Sequence, residues 1–307
     1  MGRKLRVEYP GAIYHLMNRG DRRELIFADD EDRHAFVTTL GEACGKTGWE
    51  VHAYTLMPNH FHLVVETPLP NLVAGMKWFL GTYTSRFNRR HKSFGHLFSG
   101  RYKGLIVDGS GDGYFKTVCD YVHLNPVRAK LLPSDQPLRE YLWSSWPGYL
   151  KRPHQRPEWQ RVDRLLGEYG IVKDNTAGRR RLEACLEARR ATEEGMDYEA
   201  IRHGWFFGDQ ELKKELLEAM RGEFGKNHEG GEKWESAEAH AEFVLQEELR
   251  RLGWGREELK RHRKGDESKA RIAKRLRAET TMSREWIANR LCMGSVSMVA
   301  HCIQREK

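Results

Sequence analysis

The sequence is poor in cysteine and contains no long apolar run. Its 307 residues include five cysteines, an odd number, and no two of them form a Cys-x-x-Cys pair. This pattern argues against a disulfide framework and against a zinc knuckle, so we expect reduced thiols. The apolar stretches are too short to cross a membrane, and the first residues lack the apolar segment of a secretory signal. We therefore expect a cytoplasmic protein with no membrane contact.

Charge is distributed unevenly along the chain. The formal net charge is +8; residues 1–152 contain 21 Lys and Arg against 15 Asp and Glu, and residues 260–307 contain 13 against 5, which leaves residues 153–259 with a net charge of −6. Two basic ends separated by an acidic middle indicate two contacts with nucleic acid. We predict a catalytic domain over 1–152, an acidic linker and helical region over 153–259, and a basic module over 260–307.

Apolar periodicity predicts the element order β-α-β-β-α-β-α up to about residue 127. The first six elements are those of a ferredoxin-like antiparallel sheet with helices on one face, which leaves the other face open to a ligand. The predicted fold class is therefore α+β, followed by an all-α C-terminal region with a helix-turn-helix. Between them, residues 204–208 (GWFFG) are expected to form a turn with buried aromatics, or alternatively a platform on which bases stack.

Two histidines lie in the predicted third strand, just after a Pro-Asn turn signal. Side chains on a strand alternate, so His60 and His62 should share one face while Phe61 points to the core. Neutral imidazole is the commonest protein metal ligand, and two on a rigid strand form half of a metal site. The alternative is a pair of ordinary surface histidines.

A helix predicted over residues 114–127 and disturbed by Pro126 supplies a second group. Tyr121 and Asn125 are four residues apart and would lie on one helical face. A tyrosine is a poor nucleophile at neutral pH because its reference pKa is about 10. Beside a divalent cation that polarises a phosphate, however, it can attack. A half-buried core tyrosine is the alternative.

Four motifs in the first half of the chain resemble those of the REP-associated tyrosine transposases, which belong to the HUH single-strand transposases. They are GAIYH at 11–15, LMPNHFHLV at 56–64, GRYK at 100–103 and DYVHLNPVR at 120–128. Several motifs in the same order make this resemblance far more specific than a lone His-x-His.

The resemblance implies a metal-dependent single-stranded DNA endonuclease and strand transferase that acts on hairpin-forming, imperfectly palindromic repeats. His60 and His62 would bind Mg²⁺ or Mn²⁺ with Asn125 as third ligand, and Tyr121 would form a 5′-phosphotyrosine. Related insertion-sequence enzymes have glutamine where this chain has Asn125. Asp120 and His123 therefore stay open as competing ligands.

Basic side chains near these motifs and in the last fifty residues are the predicted DNA contacts. In the catalytic domain they are Arg19, Arg22, Arg23, Arg86, Arg89, Arg90, Arg101 and Lys103. In the C-terminal module, a basic helix would place Arg271, Lys274, Arg275 and Arg277 on phosphates.

The C-terminal module carries the signals of a helix-turn-helix. Ser283 is a predicted N-cap, residues 293–294 form a tight turn, and the recognition helix would present Ser295 and Ser297 to the major groove of duplex DNA. The alternative is a three-helix module that binds protein.

Two other functions compete with strand transfer. One is a non-cleaving DNA-binding regulator derived from a transposase, and the other is a metal-dependent hydrolase that activates water. The sequence also leaves open a monomer or a homodimer, in which Tyr121 could serve its own site or that of the partner subunit.

Overall fold

The computed structural model describes residues 7–192, 198–223 and 231–304, with side chains at 219–223, 231–237 and 239 left aside. The strands are β1 (Ala12–Arg19), β2 (Glu50–Met57), β3 (His60–Thr67), β4 (Lys103–Val107) and β5 (Phe206–Phe207). The helices are α1 (Asp30–Thr47), α2 (Leu72–Arg90), α3 (Tyr114–His123), α4 (Asn125–Arg128), α5 (Trp146–Leu150), α6 (Asp163–Glu168), α7 (Thr176–Ala191), α8 (Glu199–His203), α9 (Gln210–Glu223), α10 (Gly231–Leu252), α11 (Glu258–Arg261), α12 (Glu267–Glu279), α13 (Arg284–Arg290) and α14 (Val296–Gln304). Short 3-10 turns lie at Asp21–Arg23, Leu138–Glu140 and Pro153–Gln155.

The five strands form one sheet in the order β2-β3-β1-β4-β5. The first four pair antiparallel in the ferredoxin-like order, which confirms the predicted α+β class. The fifth pairs parallel to β4, with Phe206 opposite Ile106. The prediction of a turn at 204–208 is therefore wrong, because Phe206 and Phe207 extend the sheet edge. Phe206 is buried, so its ring is not available as a base-stacking platform.

Local signals determine where the elements begin and end. The Asp29 carboxylate accepts a hydrogen bond of 3.1 Å from the backbone N–H of Asp32 and so caps α1. Gly48 ends this helix in the left-handed region, with φ of 71°. The predicted hairpin of β2 and β3 turns at Pro58 and Asn59.

Helices α1 and α2 cover one face of the sheet. Phe61 packs there with Phe36 and Phe79, at ring-centroid distances of 5.0 and 6.4 Å, and all three are fully buried. Leu63 and Val65 of β3 point into the same core. The alternation predicted for β3 is thus confirmed on its apolar side.

The second face of the sheet is covered, not open as predicted. A second core joins sheet residues such as Val64 to Val118 and Val122 of α3. The region predicted as an acidic linker also contributes to this core, with Leu165 of α6 and Leu182 of α7 fully buried. Residue 153 therefore does not mark a boundary between cores.

The C-terminal helices form a third core of their own. Ser283 caps α13 by accepting from the backbone N–H of Trp286, and Gly294 turns the chain into α14 with φ of 84°. This module contacts α1 through Lys46, whose ammonium donates to the carbonyls of Arg277 and, at 2.8 Å, of Ala278. Within the described part of the chain, no helix is long and apolar enough to span a membrane.

Candidate active site

The sheet places His60 and His62 side by side on the face that α3 covers. His62 lies opposite Met17 of β1 and Thr55 of β2. The His60 and His62 ring centroids are 5.1 Å apart, and the ring planes cross at 78°. One ion could therefore contact both rings.

His15 of β1 is a third histidine in this cluster and was not among the predicted site residues. Its Nε2 lies 2.9 Å from Nδ1 of His62, and the two rings stack with centroids 5.2 Å apart. Alternation along β1 puts His15 on the same face as Ile13 and Met17. The signal that was missing is the register between β1 and β3, because it depends on residues far apart in sequence.

Hydrogen bonds orient the ring nitrogens of both predicted ligands. Nδ1 of His60 lies 2.8 Å from Oδ1 of Asn59, which can only accept, so Nδ1 carries the proton and Nε2 keeps its lone pair. If Nδ1 of His62 donates to Nε2 of His15, Nε2 of His62 is likewise free. Such outer hydrogen bonds are typical of metal-ligating histidines.

All three imidazoles are held in their neutral form. Burial and the charge of Arg128 lower the pKa of His15 to about 4, and burial and Arg19 lower the pKa of His60 to about 4. Burial lowers the pKa of His62 well below its usual value. Neutral imidazole is the form that binds metal, so the electrostatics suit a cation site.

Tyr121 lies directly against the histidines. Its ring packs edge-on against His15 and His62, with centroids 5.7 and 5.8 Å away, and only 6% of the residue is exposed. The Thr55 hydroxyl, on the same sheet face, donates to the carbonyl of Val122 at 2.7 Å and fixes α3 in place. The structure thus brings together the predicted nucleophile and the two predicted metal ligands.

The candidates for a third ligand lie in different surroundings. Asn125 is buried at the first residue of α4, just beyond the end of α3. The Asp120 carboxylate accepts from the Tyr169 hydroxyl at 2.7 Å and pairs with Arg189 at 3.3 Å. His123 contacts the Ser145 hydroxyl at 2.8 Å. Both competitors of Asn125 are therefore engaged with other partners.

The donor set fits a divalent cation only if oxygen ligands complete it. Among the described residues, no group of three or more His, Cys, Asp or Glu side chains is placed to hold an ion. Two imidazole nitrogens are available, from His60 and His62. An amide oxygen such as that of Asn125, water or a phosphate oxygen would have to supply the rest, which suits Mg²⁺ or Mn²⁺.

Three predicted DNA contacts lie at the end of the sheet where His60 lies. Arg19 is directly opposite His60, and Lys103 of β4 is opposite Met17, so both share the face of the histidines. Arg101 precedes Lys103 by two residues, and all three basic side chains are exposed. Arg22 and Arg23 are also exposed, in the 3-10 turn after β1.

The predicted contacts on α2 are already engaged within the protein. Arg86 pairs with Glu42 at 2.8 Å. Arg90 pairs with Asp29 at 2.6 Å and Asp32 at 2.7 Å, and this arginine lowers the pKa of Asp29 to about 2.

Arg89, the third of the predicted contacts on α2, is exposed. It lines a cleft between α2 and the C-terminal module, together with Lys77, Lys274 and Arg284.

The predicted DNA contacts of the C-terminal module also differ in how strongly they are paired within the protein. Arg275 pairs with Glu247 and Glu248 at 2.6 and 2.7 Å. Arg271 and Lys274 are exposed, and Arg271 lies at a longer 3.8 Å from Glu248.

The two serines of the predicted recognition helix also differ. The Ser295 hydroxyl accepts from the backbone N–H of Met298 at 3.1 Å and so caps α14, while Ser297 is exposed in the first turn.

Arg277, the remaining predicted phosphate contact on α12, donates to the carbonyl of Met282 at 2.8 Å.

Comparison with known proteins finds a family model that matches part of the chain. Residues 8–125 match the family model described as "Transposase IS200 like", a segment that includes the histidines, Tyr121 and Asn125. Among solved structures, the chain is similar to a REP-associated tyrosine transposase bound to a REP hairpin, at 16% identity over 58% of this chain and 97% of that chain, with a TM-score of 0.40. No curated protein matches the sequence.

Proposed function

We propose that this chain, whose residues 8–125 match the IS200-like transposase family model, is a metal-dependent single-stranded DNA endonuclease and strand transferase that uses Tyr121 as nucleophile. The expected substrate is a single strand next to a hairpin-forming repeat.

The observation that carries the proposal is the packing of Tyr121 against His15 and His62. A buried phenol is unremarkable in a core, but here it lies beside imidazoles whose burial keeps them neutral. A bound Mg²⁺ or Mn²⁺ would withdraw charge from the non-bridging oxygens of the scissile phosphate. His60 and His62 would hold it through Nε2, with Asn125 as the proposed oxygen ligand.

The proposed chemistry is an exchange of one phosphodiester for another. The Tyr121 oxygen attacks phosphorus and forms a phosphotyrosine at the 5′ end, the bond to the 3′ oxygen breaks, and the phenol proton is lost as the 3′ oxygen gains one. Attack on the phosphotyrosine by the 3′ hydroxyl of a second strand reverses the step and rejoins DNA. Because the covalent intermediate conserves the phosphodiester, no further energy source is needed.

The exposed basic side chains at the His60 end of the sheet line the proposed path of the single-stranded DNA. Arg19, Arg101 and Lys103 lie where a phosphate chain entering the site would pass. Each phosphate contact contributes to a salt-dependent affinity. We expect alanine at Lys103 to weaken binding of single strands and to lower the salt slope by about 0.7, the value for one phosphate contact on a single strand.

The decisive experiment incubates labelled hairpin DNA carrying single-stranded flanks with the protein and Mn²⁺ or Mg²⁺. Products are resolved on a denaturing gel for the wild type, Tyr121→Phe and His62→Ala, with Tyr114→Phe, at the start of the same helix, as matched control. A metal-dependent protein–DNA adduct that Tyr121→Phe and His62→Ala abolish and Tyr114→Phe retains supports the proposal.

Other outcomes identify the competing functions. Cleavage without an adduct, unchanged by Tyr121→Phe, indicates hydrolysis by activated water. Binding with neither cleavage nor adduct indicates a regulator.

We further propose that the C-terminal module binds duplex DNA as a helix-turn-helix. Its support is the Ser283 cap, the Gly294 turn and the exposure of Ser297 and Arg271. We expect Arg271→Ala to weaken binding of a hairpin stem and to lower its salt slope by about 1. The control is Arg261→Ala, an exposed arginine paired with Glu258 on the neighbouring α11. Equal affinity of both variants for duplex would favour the protein-binding alternative.

A further inference from the structure

A second tyrosine, Tyr198, lies against the proposed nucleophile. The Tyr121 and Tyr198 rings are 4.9 Å apart, and the Arg128 guanidinium contacts both, 4.1 Å from the Tyr121 centroid and 4.9 Å from that of Tyr198. Arg128 also donates to the backbone carbonyl of Tyr121. The nucleophile is thus enclosed by the two histidine rings, by Arg128 and by Tyr198.

Tyr198 comes from the part of the chain that the family match does not cover. It directly precedes α8, and only 3% of it is exposed. Ile201 of α8 is buried in the same core. The following strand, β5, is hydrogen-bonded to the sheet edge, where the backbone N–H of Ile106 donates to the carbonyl of Trp205 at 2.9 Å. The position of Tyr198 is therefore set by the sheet that carries the histidines.

The same region contacts α3 a second time, at the residue before the nucleophile. Asp120 is fully buried and is paired by Arg189 of α7 and by the hydroxyl of Tyr169. Arg189 also hydrogen-bonds Tyr198. Residues of the middle region thus hold both the backbone next to Tyr121 and the ring of Tyr121.

We propose that Tyr198 is a positioning residue, which together with Arg128 fixes the Tyr121 ring in the orientation needed for attack. The inference rests on the function proposed above. Tyr121 lies in the last turn of α3, where a backbone carbonyl lacks the usual intrahelical donor, and its carbonyl accepts from the Arg128 side chain. Cation–π contact with the half-buried Arg128 guanidinium, 4.1 Å from the ring centroid, restrains the ring as well. Phosphoryl transfer is sensitive to such alignment, since a misplacement of about 1 Å can cost about a hundredfold in rate.

The test measures the single-turnover rate constant of adduct formation at saturating hairpin DNA and Mn²⁺. Tyr198→Leu keeps apolar volume but loses the aromatic face, Tyr198→Phe keeps the ring but loses the hydroxyl, and Ile201→Ala is the matched control for loss of packing. DNA affinity, Mn²⁺ affinity and the melting temperature are measured for each variant.

We expect Tyr198→Leu to lower the rate constant by about 10- to 100-fold while DNA and Mn²⁺ affinities stay within about twofold. Tyr198→Phe should rescue the rate to near the wild-type value. Ile201→Ala should lower the melting temperature as much as Tyr198→Leu, or more, without the loss of rate.

Two results would overturn the inference. One is a Tyr198→Leu rate constant equal to that of Ile201→Ala. The other is a Tyr198→Phe variant as slow as Tyr198→Leu, since that would assign the effect to the hydroxyl and not to the ring. A wild-type protein that forms no adduct would instead refute the proposed function.

Discussion

Removing the Asp120 carboxylate should destabilise the protein through the contact between α3 and the middle region. Asp120 is fully buried, accepts from Tyr169 at 2.7 Å and pairs with Arg189 at 3.3 Å. Breaking a buried ion pair by deleting one partner costs about 3 to 5 kcal/mol. The Arg189 side chain is 23% exposed, so water would partly solvate the orphaned guanidinium. We therefore expect Asp120→Ala to lower the free energy of unfolding by about 2 to 4 kcal/mol.

The assay is urea unfolding of the full chain, with a double-mutant cycle between Asp120→Ala and Arg189→Met. If the pair is responsible, the double variant should recover part of the loss, with a coupling free energy of about 1 to 3 kcal/mol. Asp120→Asn, which keeps an acceptor for Tyr169, should cost less than Asp120→Ala. An Asp120→Ala variant within about 0.5 kcal/mol of the wild type would show that the buried pair does not stabilise the fold, because ordinary surface substitutions stay in that range.

Two further predictions concern packing and pH. Gly75→Ala in α2 should lower the free energy of unfolding by about 1 to 3 kcal/mol, because a Cβ there would lie 2.2 Å from the Trp49 ring. Gly81→Ala in the same helix meets nothing within 4 Å and should raise the free energy of unfolding by about 0.5 to 1 kcal/mol. Chemical unfolding of both variants checks this. Burial lowers the pKa of His123 in the folded state to about 3, below its unfolded value of 6.5, so its contribution to stability is present above pH 6.5 and is lost as pH falls. From His123 alone we expect the free energy of unfolding to be about 2 to 3 kcal/mol lower at pH 4.5 than at pH 7. In urea titrations at the two pH values, His123→Gln should show a smaller loss than the wild type. An equal loss would contradict the assignment to His123.

The parts of the site that follow from local pattern were predictable from the sequence. The alternation of His60, Phe61 and His62 requires only that the segment be a strand, and the Pro-Asn turn places that strand in a hairpin. In the same way, Ser283 predicted the start of α13 and Gly294 the turn that leads into α14. Each of these signals lies within a few residues of the feature it determines.

The parts that depend on contacts between distant segments were not predictable. His15 joins the cluster only because β1 pairs with β3 in one particular register. Arg86 and Arg90 were assigned to DNA because basic residues cluster at the end of α2, but acidic residues of α1 pair with them. A single sequence does not show such pairing between two helices.

The middle region was predicted as an acidic linker and helical region, without a role in the site. In the structure α6, α7 and α8 contribute buried residues to the core on the second sheet face, and Tyr198 packs against Tyr121. β5 is only two residues long, too short to show a period-2 pattern, so Phe206 and Phe207 gave no strand signal. The acidic side chains lie largely on the outside of elements whose buried residues, such as Leu182 and Ile201, are sparse along the sequence.

In the proposed mechanism, Tyr121 becomes covalently attached to DNA in a reaction that needs a metal held by His60 and His62. The most direct measurement is mass spectrometry of the protein–DNA adduct after digestion, from reactions with Mn²⁺ and with chelator. We expect a nucleotide attached through its 5′ phosphate to the peptide containing Tyr121, present with Mn²⁺ and lost with chelator or in His60→Ala. An adduct at another residue, or cleaved DNA with no attached protein, would contradict it.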